Sequence, residues 1–215
     1  MKKKLTIFLL IAIAAVATWY FEGIHGDGAI IAEDRTVPEF SGVTISGAFT
    51  VQWSRGKPGL SITTDRNLLP HISTVVSDGT LRISSEKSLR PTGGLTVTIS
   101  GDSLADVHLS GANTFRAGQI TGPELKVLVS GASTISLDGS VTKLDARLTG
   151  ASTLHAQTLR TQTATVGITG ACSAHVNVTD ALKASITGAG SITYSGNPRK
   201  TEKSVTGVGS IHAQP

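Results

Sequence analysis

The chain has 215 residues, of which 24 are Gly and 51 are Ser or Thr, while charged residues make up only 16%. Gly and Thr are poor in helix interiors, and so little charge leaves long amphipathic helices without polar faces, so an all-β chain is expected. With 39% hydrophobic residues it can bury a core, which separates it from disordered chains of low hydrophobicity and high net charge.

Lys2, Lys3 and Lys4 precede an apolar run from Leu5 to Ala17 broken only by Thr6, and Ala15-Val16-Ala17 fits a small-x-small cleavage site. Residues 1–21 therefore read as a signal peptide. The rival reading is an N-terminal membrane anchor, because Leu5 to Phe21 reaches the lower length limit for a span and Trp19-Tyr20-Phe21 suits an interface. No Cys follows the run, so it offers no thiol for a lipid anchor. Setting aside the three lysines lowers Lys plus Arg from 19 to 16 against 15 acidic residues, a formal charge of +1. That balance, with only Phe40, Phe49, Trp53, Phe115 and Tyr194 as later aromatics, excludes nucleic acid as a partner. Any membrane contact is assigned to the N-terminal segment alone.

Residues 22–37 read as a polar linker, most flexible at Gly26-Asp27-Gly28. The domain is placed at 38–215. Its opening contains the hexad SGAFTV (46–51). The next stretch carries turn signals at Lys57-Pro58-Gly59, Ser77-Asp78-Gly79 and Pro91-Thr92-Gly93-Gly94, and reads as early coils with insertions. Then come SGANTF (110–115), SGASTI (130–135), TGASTL (149–154), TGACSA (169–174), TGAGSI (187–192) and TGVGSI (206–211). Their glycines lie at 47, 111, 131, 150, 170, 188 and 207, so the later intervals are 20, 19, 20, 18 and 19, and three further periods would fill the gap of 64.

Inside each repeat apolar and polar residues alternate, as in Val127, Val129, Gly131, Ser133, Ile135 and Leu137, which is the period of a strand. A repeat of about 20 residues without a helix suits one coil of a single-stranded parallel β-helix, with right-handed winding expected. Nine such coils would make a rod of roughly 40 Å. A narrow coil interior explains the small residues, with Cys172 among the inward apolar ones. The glycine column marks a bend at positive φ or a close approach of coils. Cys172 is the only cysteine, so no intramolecular disulfide is available.

The segments FSGVTISGAFTVQW and DRNLLPHISTVVSDGTLRIS, followed by the run of SGA and TGA hexads, resemble the bacterial head GIN domain family, described as "putative auto-transporter adhesins". The resemblance spans about residues 36–213. It implies a β-helical cell-envelope domain and supplies no catalytic residues. A translocator barrel would need many more strands than this chain holds.

The outward parity of the hexads aligns Ser130, Thr134, Thr149, Thr153, Thr169, Ser173, Thr187 and Ser191, with Ala132, Ala151, Ala171 and Ala189 between them. Such a flat, weakly charged strip could dock an envelope glycan, another protein or a neighbouring copy, or could simply be solvated β-formers; regular Thr spacing also suits an ice-binding strip. Five positions after the repeat glycine, His155 and His175 should stack, where two imidazoles could share a metal or repel when protonated, though a stable metal site wants a third ligand. No metal or cofactor is expected. Asp106 and Asp145 share a register with Lys126 between them, which reads as cross-coil charge pairing. Asp102, Asp106, Asp138, Asp145 and Asp180 are dispersed, against the converging acids that a polysaccharide-degrading enzyme needs. Trp53 and Tyr194 share an inward register, and Trp53, in the first recognisable coil, suits an end plug; the C-terminal coil shows no evident cap. The sequence thus favours a non-enzymatic, exported binding or scaffolding module of the periplasm or cell surface, with a polysaccharide-degrading enzyme and a structural spacer as alternatives.

Overall fold

In the computed structural model, which describes residues 23–214, all but one of the described elements are strands; the exception is a 3-10 helix at Arg66–His71. The N-terminal segment 1–21 lies outside the described residues. From residue 106 onward the chain winds as a parallel β-solenoid with coils of about 20 residues. The strands Thr114–Gly131, Thr134–Gly150, Thr153–Gly170 and Ser173–Gly188 each run most of a coil and pair in parallel with the next. One side of each coil leads into the repeat glycine, a second leaves it, and a closing arc joins the two. Alternation sends Val127, Val129, Ile135, Leu137, Leu144, Ala146 and Leu148 inward, each at most 4% exposed.

The repeat glycines stack directly. Gly111 to Gly207 all have φ between +101° and +123°. A Cβ on any of them would overlap the carbonyl oxygen of the repeat glycine one coil earlier. Both expected reasons for the column therefore hold: the bend needs a backbone that L side chains avoid, and the coils approach too closely for a methyl group.

The gap from 47 to 111 holds no intervening coils. Ser46 and Gly47 pair directly with Ser110 and Gly111, so the first two hexads are stacked neighbours. The chain between them turns back to the other side of the first hexad. Thr80–Ser85 pairs in parallel with Gly42–Gly47, and Thr96–Gly101 with Thr50–Arg55. Antiparallel strands finish this end: Ile72–Ser77 along Thr80–Ser85, and Gly59–Asp65 between Thr96–Gly101 and Ile30–Arg35. The turn signals were hairpin and cap signals, as Asp78 (φ 52°) and Gly79 (φ 69°) show. The nine coils expected are therefore not present: the parallel solenoid has about five turns, and the strands of the cap extend the stack at its N-terminal end.

The expected linker is also part of this cap. Ile24–His25 pairs with Leu89–Arg90, and Ile30–Arg35 with Gly59–Asp65. Gly26-Asp27-Gly28 is pinned: Gly26 N–H donates to Arg90 O (3.0 Å), Asp27 N–H to Asn67 Oδ1 (3.0 Å) and Gly28 N–H to Asp65 Oδ1 (2.8 Å). Asp65, with no exposed surface, also accepts from Thr92 Oγ1 (2.6 Å) and Thr92 N–H (2.9 Å). The Thr92 hydroxyl, then the backbone donors of Thr92 and Gly28, hold its carboxyl below the ordinary value against the opposing effect of burial. Arg35 fastens the same end by donating to Leu69 O (3.1 Å), Ile72 O (2.7 Å) and Thr74 Oγ1 (3.0 Å). Trp53 is no plug: it lies between Ile99 and Ala117 within the stack, 3% exposed. Tyr194, in the same register, pairs with Ala213 of the last described strand.

Candidate contact surface

The hexad corner carries two unbroken hydroxyl columns. Before the glycine, Ser46, Ser110, Ser130, Thr149, Thr169, Thr187 and Thr206 are consecutive register partners. After the bend, Thr50, Thr114, Thr134, Thr153, Ser173, Ser191 and Ser210 are the same. All eight residues singled out in the sequence lie in these columns. Ser130, Thr134, Thr149, Thr169 and Thr187 are exposed, and Thr153, Ser173 and Ser191 half-buried. Ser191 Oγ donates to Ser173 Oγ at 3.2 Å. The chain bends at Ala132, Ala151, Ala171 and Ala189, so the columns occupy two adjoining sides that meet at an alanine-tipped ridge. The surface is a ridge with hydroxyls on both slopes rather than a flat strip.

A buried polar ladder fixes the ridge from inside. Asn113 Oδ1 accepts from Phe49 N–H (3.2 Å), Ser133 Oγ from Asn113 N–H (3.1 Å), Ser152 Oγ from Ser133 N–H (3.1 Å) and Cys172 Sγ from Ser152 N–H (3.3 Å). Ser133 and Ser152 hydroxyls donate in turn to the carbonyls of Gly111 (3.3 Å) and Gly131 (3.0 Å). At the corner the bend takes backbone N–H groups out of the ladder, and these side chains satisfy them where water has no access. Sequence reasoning placed Ser133, Ser152 and Cys172 inward but missed this role; polar residues at inward parity were its signal.

Down one slope, Thr44, His108, Leu128 and Arg147 border a shallow depression of about 470 Å³ that reaches Ser110, Ser130 and Thr149. Asp106, Lys126 and Asp145 are register partners as expected, but the ion pairs fall elsewhere. Asp145 pairs with Arg147 along its own strand (3.4 Å), and Lys143 reaches across coils to Glu124 (3.0 Å). The Lys143 contact holds the Glu124 carboxyl below its usual value, with Lys126 adding attraction.

On the other slope His155 and His175 are register partners, their rings stacked with centroids 5.7 Å apart and planes 10° from parallel. Imidazole lone pairs lie in the ring plane, so parallel rings do not converge on one metal ion, whose nitrogen ligands sit about 2.0–2.1 Å away. Thr193 follows, and its Oγ1 lies 3.1 Å from His212 Nε2. Among the described residues no three His, Cys, Asp or Glu side chains gather into a metal-binding group. None of the described helices is long and apolar enough to cross a membrane.

The family model "Putative auto-transporter adhesin, head GIN domain" matches residues 39–198. Solved structures with the same fold include a "putative adhesin" from Bacteroides fragilis, 23% identical, covering 89% of this chain and 100% of that one, with a TM-score of 0.74. A "putative adhesin" from Parabacteroides merdae is 21% identical, covering 89% of this chain and 99% of that one, with a TM-score of 0.55. A "putative lipid binding protein" from Parabacteroides distasonis is also 21% identical, covering 90% of this chain and 100% of that one, with a TM-score of 0.55. No curated protein matches the sequence. The chain belongs to the head GIN domain family.

Proposed function

We propose that this head GIN domain protein is an exported module of the bacterial cell envelope that binds or scaffolds through its hydroxyl-bearing ridge and performs no chemistry. The observation that carries this reading is the unbroken register of the two hydroxyl columns. Small hydroxyl side chains lose little rotamer freedom on contact, and a rigid ladder offers donors and acceptors at fixed intervals of about 4.8 Å. An envelope glycan or an extended protein surface running along the rod could engage several rungs at once, so weak contacts would add. The adhesin names given to the family and its structural relatives point the same way.

The test is binding of purified protein to intact envelopes and to isolated peptidoglycan and surface polysaccharide fractions. A Thr149→Lys plus Thr187→Lys variant changes the ridge while leaving Thr169 between the new charges, so that like charges do not sit on adjacent rungs. A Thr142→Lys plus Thr179→Lys variant places the same charge on the exposed closing arc, again with one coil between the new charges. Saturable binding lost in the ridge variant and kept in the arc variant supports recognition by the ridge. Equal loss in both would mark a charge effect. No binding to any fraction favours the spacer reading and turns the search to protein partners.

A further inference from the structure

The depression on one slope of the ridge is a trough with a charge pattern of its own. Thr44, His108, Leu128 and Arg147 are consecutive register partners, so it runs along the rod over four rungs, roughly 14 Å. Its walls stand two residues apart on each strand: His108, Leu128 and Arg147 on one side, and Ser110, Ser130 and Thr149 of the ridge on the other. Its volume of about 470 Å³ is in the range of small-molecule sites. Leu128 is half-buried and puts an apolar surface between two nitrogen-bearing side chains.

Among the described residues no carboxylate lines this trough; its ionisable side chains are His108 and Arg147. Asp106 and Asp145 belong to the column two residues up-strand, where Lys126 stands between them. Asp145 acts on the trough by placing Arg147. Its Oδ1 is cut off from solvent without a hydrogen bond, and the guanidinium compensates it, with Nε 3.4 Å from Oδ1 and Nη2 3.4 Å from Oδ2. Arg147 Nη1 has no hydrogen-bond partner among the described residues, and the side chain is 67% exposed. One carboxylate therefore orients the guanidinium and leaves its Nη1–Nη2 edge to meet another.

We propose that the trough binds a carboxylate-bearing sugar of an acidic polysaccharide, an inference that rests on the ridge reading and names the class of glycan. The sugar carboxylate takes the free edge of Arg147, the C–H face of the pyranose ring lies on Leu128, and ring hydroxyls meet Ser110, Ser130 and Thr149. His108, two rungs from Arg147 and about 9.6 Å away, meets the next sugar along the rod. A neutral glycan leaves the guanidinium edge unused, and a phosphate-linked chain without sugar rings leaves Leu128 uncovered.

Isothermal titration calorimetry of the purified protein with tetragalacturonate, tetramannuronate and the methyl ester of each tests this. At least one of the acids should bind saturably, with its ester at least about tenfold weaker, the effect of losing a charge-assisted pair. Asp145→Asn combined with Arg147→Gln removes the fork without changing net charge and should weaken the acid by the same factor. Arg160→Gln, on the exposed closing arc, should stay within about twofold of wild type. Circular dichroism checks folding, and Ser130→Glu gives the readout if the double variant does not fold: a carboxylate at that exposed position should weaken the acid and spare the ester. Binding of neither acid, equal binding of acid and ester, undiminished binding of the acid by the folded double variant or by Ser130→Glu, or an equal loss in Arg160→Gln would each overturn the inference. The ridge reading is decided apart from it: envelope fractions held by wild type and the double variant but lost by the ridge variant would overturn the trough alone.

Discussion

Gly150→Ala probes the stacking of the glycine column, and its cost follows from the geometry. Gly150 has φ +107°, a region that L residues occupy at a cost of about 1–3 kcal/mol. The new methyl group would overlap the Gly131 carbonyl oxygen, so the two coils must part at the corner. That oxygen accepts Ala151 N–H (2.9 Å) and Ser152 Oγ (3.0 Å), and weakening two such bonds adds about 1–3 kcal/mol. The expected loss is about 4 kcal/mol. Gly118→Ala is the matched control: no atom lies within 4 Å of its Cβ position and its φ is not positive, so the change should be neutral or stabilise by about 0.4–1 kcal/mol. Denaturant unfolding followed by far-ultraviolet circular dichroism, with the slope compared between variants, gives both numbers. If Gly150→Ala costs less than about 1 kcal/mol, or no more than Gly118→Ala, close approach between coils is not what selects glycine.

Ser152→Ala should cost about 1–3 kcal/mol, because it leaves the buried Ser133 N–H without its acceptor; Cys172→Ser keeps an acceptor for Ser152 N–H and should stay within about 1 kcal/mol of wild type. Equal effects in the same unfolding experiment would remove the ladder's claimed role. The Asp65 carboxyl is depressed in the folded protein, so its contribution is fully present above the ordinary carboxylate value of about 4 and is lost as pH falls through the lower folded value. Asp65→Asn should therefore flatten the fall of stability below about pH 4, and an unchanged acid slope would show that other groups control it. Glu124 and Glu202 shift the same way but lie at the surface, where pairing with Lys143 and Lys200 adds little.

The hexads made the regular part of the fold legible because one residue type recurs where one backbone conformation recurs. Parity then placed Ile135, Leu154 and Ala174 inside and Thr134, Thr153 and Ser173 outside, and register made those outside positions columns. What the repeat could not reveal was contact without periodicity. Residues 55–101 carry no hexad, and pairing of Thr80–Ser85 beneath Gly42–Gly47 reverses the order of strands relative to the sequence. Gly26-Asp27-Gly28 has the composition of a linker, and its anchor Asp65 stands 37 residues beyond Gly28.

The coil lengths explain why the ridge, rather than another part of the rod, is suited to contact. The repeat intervals run from 18 to 20 residues, so each change in length must be absorbed somewhere in the coil. The register shifts fall between Ala117 and Ile120, Ser136 and Asp138, Ala156 and Arg160, and Thr161 and Thr163, all on or at the start of the closing arc. None falls within a hexad. The glycine bend, the carbonyl stacking and the buried Asn-Ser-Ser-Cys ladder fix the corner in three separate ways, while the closing arc tolerates insertion and bulging. A ligand that spans several rungs needs fixed spacing, and the corner and the strand that leads into it keep it along the whole stack, whereas the closing arc does not. The same division predicts where charge can be added without disturbing the ridge, which is why Thr142 and Thr179 serve as its control.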